Sequence, residues 1–268
     1  MPDQPIASGE PFVEERGSGE PVLFIHGLGS SMRDWRPQMD FFSRTHRVIS
    51  YDVRGHGGSP VPAEPYDMRA LAADAARVLE RRGAAPAHVV GLSMGGAIAF
   101  QLLADRPDLV RSAVITNSAP ELILRTVAQR GAILLRIAIV STLGTRAMGT
   151  VLARRLFPGD GSAKLRAAFI DQIGSMGRKP YIYALRAMVG WSVTDRLARM
   201  DRPVLVLASD QDYSPVALKR EYAAKMPRAE VVVISNARHA LPVERPEEFN
   251  AAVSEFLARN AGAPPRAV

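Results

Sequence analysis

The chain predicts a doubly wound α/β sheet, mostly parallel, interrupted by one helical insertion. Three observations carry that expectation. Short Val/Ile/Leu runs recur along the 268 residues. Segments with helical spacing separate them. One long central stretch has helical pattern only. Near-continuous apolar runs suit strands covered on both faces, as in a parallel sheet.

The elements follow in chain order. Residues 12–16 read as an antiparallel edge strand. Val22-Leu23-Phe24-Ile25 is a buried-strand run between Gly/Pro punctuation. Runs at 47–51, 88–92, 113–116, 204–207 and 231–234 have the same character. Residues 67–82 carry Leu71, Ala75, Val78 and Leu79 at helical spacing, and Gly83 supplies the stop. Residues 94–104 form a small-residue helix that must end before Pro107. Residues 215–226 begin with Pro215 at a plausible first helical position. Residues 245–259 close the sheet region as an amphipathic helix.

No strand is expected in 119–194. That segment is rich in Arg, Leu, Ile, Met and Ala, with breaks expected at Gly144, Pro158-Gly159, Gly174 and Gly177. It is too long for a plain loop. The chain therefore divides into a first core part, 1–118, a helical cap, 119–194, and a second core part, 195–268. The tail beginning Gly262-Ala263-Pro264-Pro265 is expected to fray.

Composition narrows the function classes. Hydrophobic residues make up 47% and charged residues 23%, enough apolar material for a core. Cysteine is absent, which rules out a thiolate nucleophile, a thiolate metal site and a disulfide. The net charge of +7 comes without a long Lys/Arg run or a nucleic-acid motif, so nucleic acid is not an expected partner. The most apolar stretch, 131–140, is interrupted by Arg136. It falls short of the ~20 residues that span a bilayer, so no stable membrane insertion is expected. Met1-Pro2-Asp3-Gln4-Pro5 lacks a basic and then apolar leader, and a cytoplasmic location is expected.

The chemistry starts at Gly91-Leu92-Ser93-Met94-Gly95. A Gly-x-Ser-x-Gly turn between a strand and a helix holds its serine on a strained bend, above the carboxyl ends of the strands. A serine hydroxyl needs a base. His239 follows the last strand run and precedes the closing helix, which puts it on the Ser93 side of a parallel sheet. His46 and His88 stand at strand starts, on the far edge. The base needs an acid to fix its tautomer. Asp212 and Asp210 compete in the loop after 204–207; Asp212 lies deeper and is favoured, with Asp210 the alternative. The order is then Ser, Asp, His. His26-Gly27-Leu28-Gly29 follows the run 22–25, and the backbone N–H groups of Leu28 and Met94 are assigned as oxyanion donors. His26 itself is expected to be structural.

These residues, together with Asp52-Val53-Arg54-Gly55-His56-Gly57-Gly58-Ser59, resemble the α/β-hydrolase superfamily. Within it they are similar to the branch of esterases, lactonases, cofactor-free haloperoxidases and C–C hydrolases. The resemblance implies a mostly parallel eight-stranded sheet with a helical cap, and a structural role for Asp52, Arg54 and His56. The family's acid sits in a Gly-x-x-Asp turn; Ser209 replaces that glycine here. Dehalogenases and epoxide hydrolases of this fold carry Asp as nucleophile, and Ser93 departs from both.

The expected function is hydrolysis of a carboxylic ester or lactone of a small to medium hydrophobic substrate through an acyl-enzyme, with no metal or organic cofactor. Leu122, Ile133, Leu134, Ile137, Met148 and Trp191 are expected in the pocket roof, and Trp35 in its wall. C–C bond hydrolysis and thioester or acyl transfer would use the same residues. A ligand-binding receptor on this fold is the reading from another class. Monomer and homodimer are both compatible.

Overall fold

Seven strands form a single sheet in the computed structural model, which describes residues 10–262. The residues read for a leader and most of the expected frayed tail lie outside the described residues. The strands are β1 (Val13–Arg16), β2 (Pro21–Ile25), β3 (Arg47–Tyr51), β4 (Ala87–Leu92), β5 (Val110–Thr116), β6 (Val204–Ser209) and β7 (Ala229–Ile234). Their order is β1-β3-β2-β4-β5-β6-β7, with β1 antiparallel to β3 and every other pair parallel. The eight strands implied by the resemblance are corrected to seven among the described residues. Just before β1, the Phe12 N–H donates to Ser59 Oγ at 2.8 Å rather than into a further strand.

Alternate residues of each inner strand serve opposite cores. Leu23 and Ile25 of β2 pack with α2 (Met68–Arg81), α3 (Met94–Asp105) and α8 (Val216–Ala223). Val22 and Phe24 pack on the other face with α1 (Arg36–Phe42) and α10 (Pro246–Arg259). This two-sided burial is why the strands read as continuous apolar runs. Helix α2 starts where expected because the Asp67 side chain accepts the Ala70 N–H at 2.8 Å. Pro215 stands one residue outside α8 as its N-cap, extended at ψ 148°, so the helix begins at Val216.

Between β5 and β6 lie α4 (Val127–Leu143), α5 (Thr145–Leu156), α6 (Ala163–Ser175) and α7 (Arg178–Met188). Val140, Met148, Met176, Tyr181 and Leu185 give these helices a small core of their own. A bridge between Glu121 and Ser192 joins the two ends of the segment, flanked by the Leu122 N–H donating to the Trp191 carbonyl and the Val193 N–H to the Pro120 carbonyl, both at 2.9 Å. Gly144 and Gly177 fall between helices as expected, but Gly174 lies inside α6. A side chain there would press on Arg146 of α5, so this glycine serves close helix packing.

The sheet order sets the position of the site. From β2 the chain moves one way to β3, then crosses back to β4 on the other side. Loops leaving neighbouring strands in opposite directions open a crevice at their carboxyl ends. The register pairs Ile25 with Gly91, so the segments after β2 and β4 emerge side by side.

Candidate active site

Ser93 sits between β4 and α3 with φ 55° and ψ −116°, a left-handed conformation for a residue with a side chain. The sequence permits this bend because its flanking glycines have no room for side chains. A Cβ on Gly91 would overlap the Gly95 backbone, and one on Gly95 would overlap the Ile25 carbonyl. The bend is pinned by the Ser93 N–H donating to the Thr116 carbonyl at 3.0 Å. Ser118 Oγ donates to the Ser93 carbonyl at 2.7 Å.

The two aspartates after β6 separate clearly. Asp212 Oδ1 lies 2.6 Å from His239 Nδ1, and its carboxylate is 1% exposed. Asp210 is exposed, and its carboxylate accepts the N–H groups of Asn236 and Ala237 at 3.0 and 3.2 Å. It ties the β6 loop to the loop after β7. Burial works to raise the Asp212 carboxyl, but the His239 hydrogen bond and the Lys219 cation prevail and hold it well below the usual carboxylate range.

His239 is fixed on several sides. Helix α9 (Leu241–Glu244) supplies Glu244, whose carboxylate accepts the N–H groups of Arg238 and Ala240 at 3.1 and 3.0 Å. Asn117, just past β5, donates to the His239 carbonyl at 3.1 Å and accepts the Ser209 N–H at 2.9 Å. Tyr213 stacks on the imidazole with ring centroids 4.4 Å apart, and Arg155 of α5 covers the outer face of Tyr213 at 4.5 Å.

Ser93 and His239 face one cavity of about 400 Å³, within the size range of small-molecule sites. They make no direct hydrogen bond among the described residues. Leu28, Met94, Leu122, Ile133 and Trp191 also line this cavity. The N–H groups of Leu28 and Met94 have no hydrogen-bond acceptor among the described residues. Met94 is the first residue of α3, where helix geometry provides none. Asp34 joins the wall, bonded to the Ser30 hydroxyl; burial raises its carboxyl.

His26 is buried, with Nδ1 donating to the Gly27 carbonyl at 2.8 Å and Nε2 accepting the Val53 N–H at 2.9 Å. Those partners require the neutral ring, and burial lowers its pKa to about 4. Asp52 accepts the Met32 and Gly58 N–H groups at 2.7 and 2.8 Å, and Arg54 pairs with Asp74.

Four pocket expectations are corrected. Trp35 is 1% exposed and packs behind the sheet against Phe24 and Phe249, because the turn before α1 directs it into that core. Ile137 and Met148 do not line the cavity but pack in the core among α4–α7. Leu134 points outward and is 66% exposed.

Sequence reasoning missed Asn117, Tyr213, Lys219 and Glu244. Lys219 is the least expected: it is fully buried, with Nζ 2.5 Å from Asp212 Oδ2 and 3.0 Å from the Ser214 carbonyl. The only hint lies in α8, where Leu218 faces out, 43% exposed, beside the buried lysine.

Comparison with known proteins places this geometry among relatives. A family model described as alpha/beta hydrolase fold matches residues 20–246. "Putative carbamate hydrolase RutD" of Caulobacter segnis is 29% identical over 248 residues, covering 89% of this chain and 91% of its own. The (E)-2-((N-methylformamido)methylene)succinate hydrolase of Acinetobacter baylyi is 28% identical, covering 91% and 92%. Among solved structures, a thermophilic esterase from Thermogutta terrifontis superposes with a TM-score of 0.85 at 26% identity, covering 92% of this chain and 93% of that one.

Proposed function

Because the chain belongs to the α/β-hydrolase fold family, we propose that it is a serine hydrolase cleaving a carboxylic ester or lactone of a small to medium hydrophobic substrate, with Ser93, His239 and Asp212 as its triad. One observation carries this reading. A buried carboxylate 2.6 Å from His239 Nδ1 leaves Nε2 available on the cavity that also holds the strained Ser93.

The chemistry is a two-step acyl transfer. His239 Nε2 takes the Ser93 proton as Oγ bonds to the substrate carbonyl carbon. The carbonyl oxygen becomes an oxyanion between the N–H groups of Leu28 and Met94; one such donor is typically worth about 3 kcal/mol in the transition state. The tetrahedral adduct collapses, the C–O bond breaks, and His239 protonates the leaving alcohol. Water then attacks the acyl-enzyme and gives its proton to His239; the bond from the acyl carbon to Ser93 Oγ breaks, His239 returns the proton to Oγ, and the acid leaves. Asp212 holds the tautomer and balances the imidazolium charge.

Helices α4–α7 act in this reading as a cap that sizes the acyl pocket, with Leu122, Ile133 and Trp191 as its apolar contacts. The relatives' names extend the candidate leaving groups to the amine of a carbamate, which the same steps would expel.

The test is hydrolysis of p-nitrophenyl esters from acetate to decanoate, a lactone and an aryl carbamate, with fluorophosphonate labelling alongside. Wild type should turn over and label, and Ser93→Ala should do neither, a loss on the order of 10⁴-fold or more. Folded wild type that neither turns over nor labels would end the reading.

A further inference from the structure

Helix α4 is apolar on both sides, and only one side is covered. Its inner side is accounted for: Ile133 and Arg136 line the cavity, and Val140 is fully buried. The outer side carries Val127, Gly131, Leu134, Leu135, Ala138 and Thr142, a continuous stripe at helical spacing without a charge. The four most exposed large apolar side chains among the described residues all belong to this helix. They are Val127 at 85%, Leu143 at 70%, Leu134 at 66% and Leu135 at 61%. A surface helix of a globular protein normally turns polar residues outward, and one that is apolar all round normally lies buried. Contiguous exposed apolar surface marks an interaction site.

Charge identifies the partner. Residues 119–194 hold eleven Lys/Arg against three Asp/Glu, a net +8, while the whole chain nets +7. The rest of the protein is therefore close to neutral, and its positive charge is concentrated in the segment that bears the stripe. Arg130 and Arg178 stand near its two ends; Arg178 donates to the Ser141 and Thr142 carbonyls at the last turn of α4. An apolar face with cations near both ends, on a segment of net positive charge, matches an acyl layer beneath anionic headgroups. A second copy of the chain would instead bring +8 against +8.

We propose that the outer face of α4 is a docking surface for an anionic lipid bilayer, on which the helix lies in the plane of the headgroups. This is surface binding: no described helix is long and apolar enough to cross a membrane. It does not rest on the hydrolase reading, and no catalysis enters its test.

The experiment is co-sedimentation with vesicles of equal parts phosphatidylglycerol and phosphatidylcholine, and with phosphatidylcholine alone. Wild type should pellet with the mixed vesicles only. It should be released at about 1 M salt, where the screening length falls to about 3 Å. The double variant L134Q/L135Q should bind about tenfold more weakly, while its circular dichroism melt stays that of wild type. Failure to pellet with the anionic vesicles overturns the proposal. So does a dimer in sedimentation velocity that the same variant splits, because a second copy would then be the occupant.

Discussion

Lys219 and Asp212 form an ion pair whose side chains are 0% and 1% exposed. Lysine is almost never fully buried unless paired, so each charge depends on the other for its place in the interior. Removing one partner of such a pair typically costs about 3–5 kcal/mol. Asp212 keeps its His239 partner, so Lys219→Met is expected at the lower end, about 3 kcal/mol, read from urea unfolding at pH 7. Acid adds a second readout. The folded carboxyl of Asp212 is depressed, so its contribution is fully present above its ordinary 3.8 and is lost as pH falls below it. The gap between wild type and variant should therefore narrow in that acid range. Equal midpoints at pH 7 would show that the pair adds nothing. Ser93 and His239 were legible in the sequence because a motif and a position after a strand each carry a backbone consequence. Lys219 was not, because a lysine in a short helix has the same letter whether it faces water or an aspartate seven residues before it; only the packing of α8 against β6 decides.

At the scale of the element, helix starts and the strand runs were readable, and packing directions were not. Asp67 marks the start of α2 in the sequence, and its side chain caps the helix by accepting the Ala70 N–H. Asp67→Ala should cost about 1 kcal/mol, the usual value of a lost N-cap. The residue is exposed and does not line the cavity, so turnover of the p-nitrophenyl esters should stay at the wild-type rate. A melt unchanged from wild type would mean that α2 is held by its buried face alone. Trp35 shows where such reading stops. Its place after the oxyanion loop suggested the pocket, yet the turn Met32–Trp35 rotates it behind the sheet. Gly174 shows the same limit from the other direction: a residue that breaks helices in isolation sits inside α6, where a Cβ would come within 3.2 Å of the Arg146 side chain of α5.

Across the whole molecule, three buried histidines link stability to pH. His26, His56 and His88 are 1%, 2% and 0% exposed. Burial lowers their pKa values to about 4, about 3 and about 4 from an ordinary 6.5. The neutral form of His26 is built into the fold, because its ring receives the Val53 N–H; at His88, burial outweighs the Glu20 carboxylate 3.4 Å away, which favours the charged ring. The sign follows from counting protons. Below 6.5 the unfolded chain protonates these rings while the folded protein keeps them neutral, so the unfolded state binds more protons and stability falls as pH falls. Each ring contributes up to about 1.4 kcal/mol per pH unit once the unfolded histidine is fully charged. The carboxyls of buried Asp52 and of half-buried Asp34 and Glu244 are raised, and they act in the opposite sense at the acid end, offsetting part of the loss. Urea unfolding at pH 7, 6 and 5 should therefore give a free energy that drops by several kcal/mol, with the steepest part below 6. His26→Gln and His88→Gln would each flatten the slope if they fold. A free energy that stays level from pH 7 to 5 would mean that the three rings protonate in place, and that the β2 and β4 ends of the sheet admit water the described packing excludes.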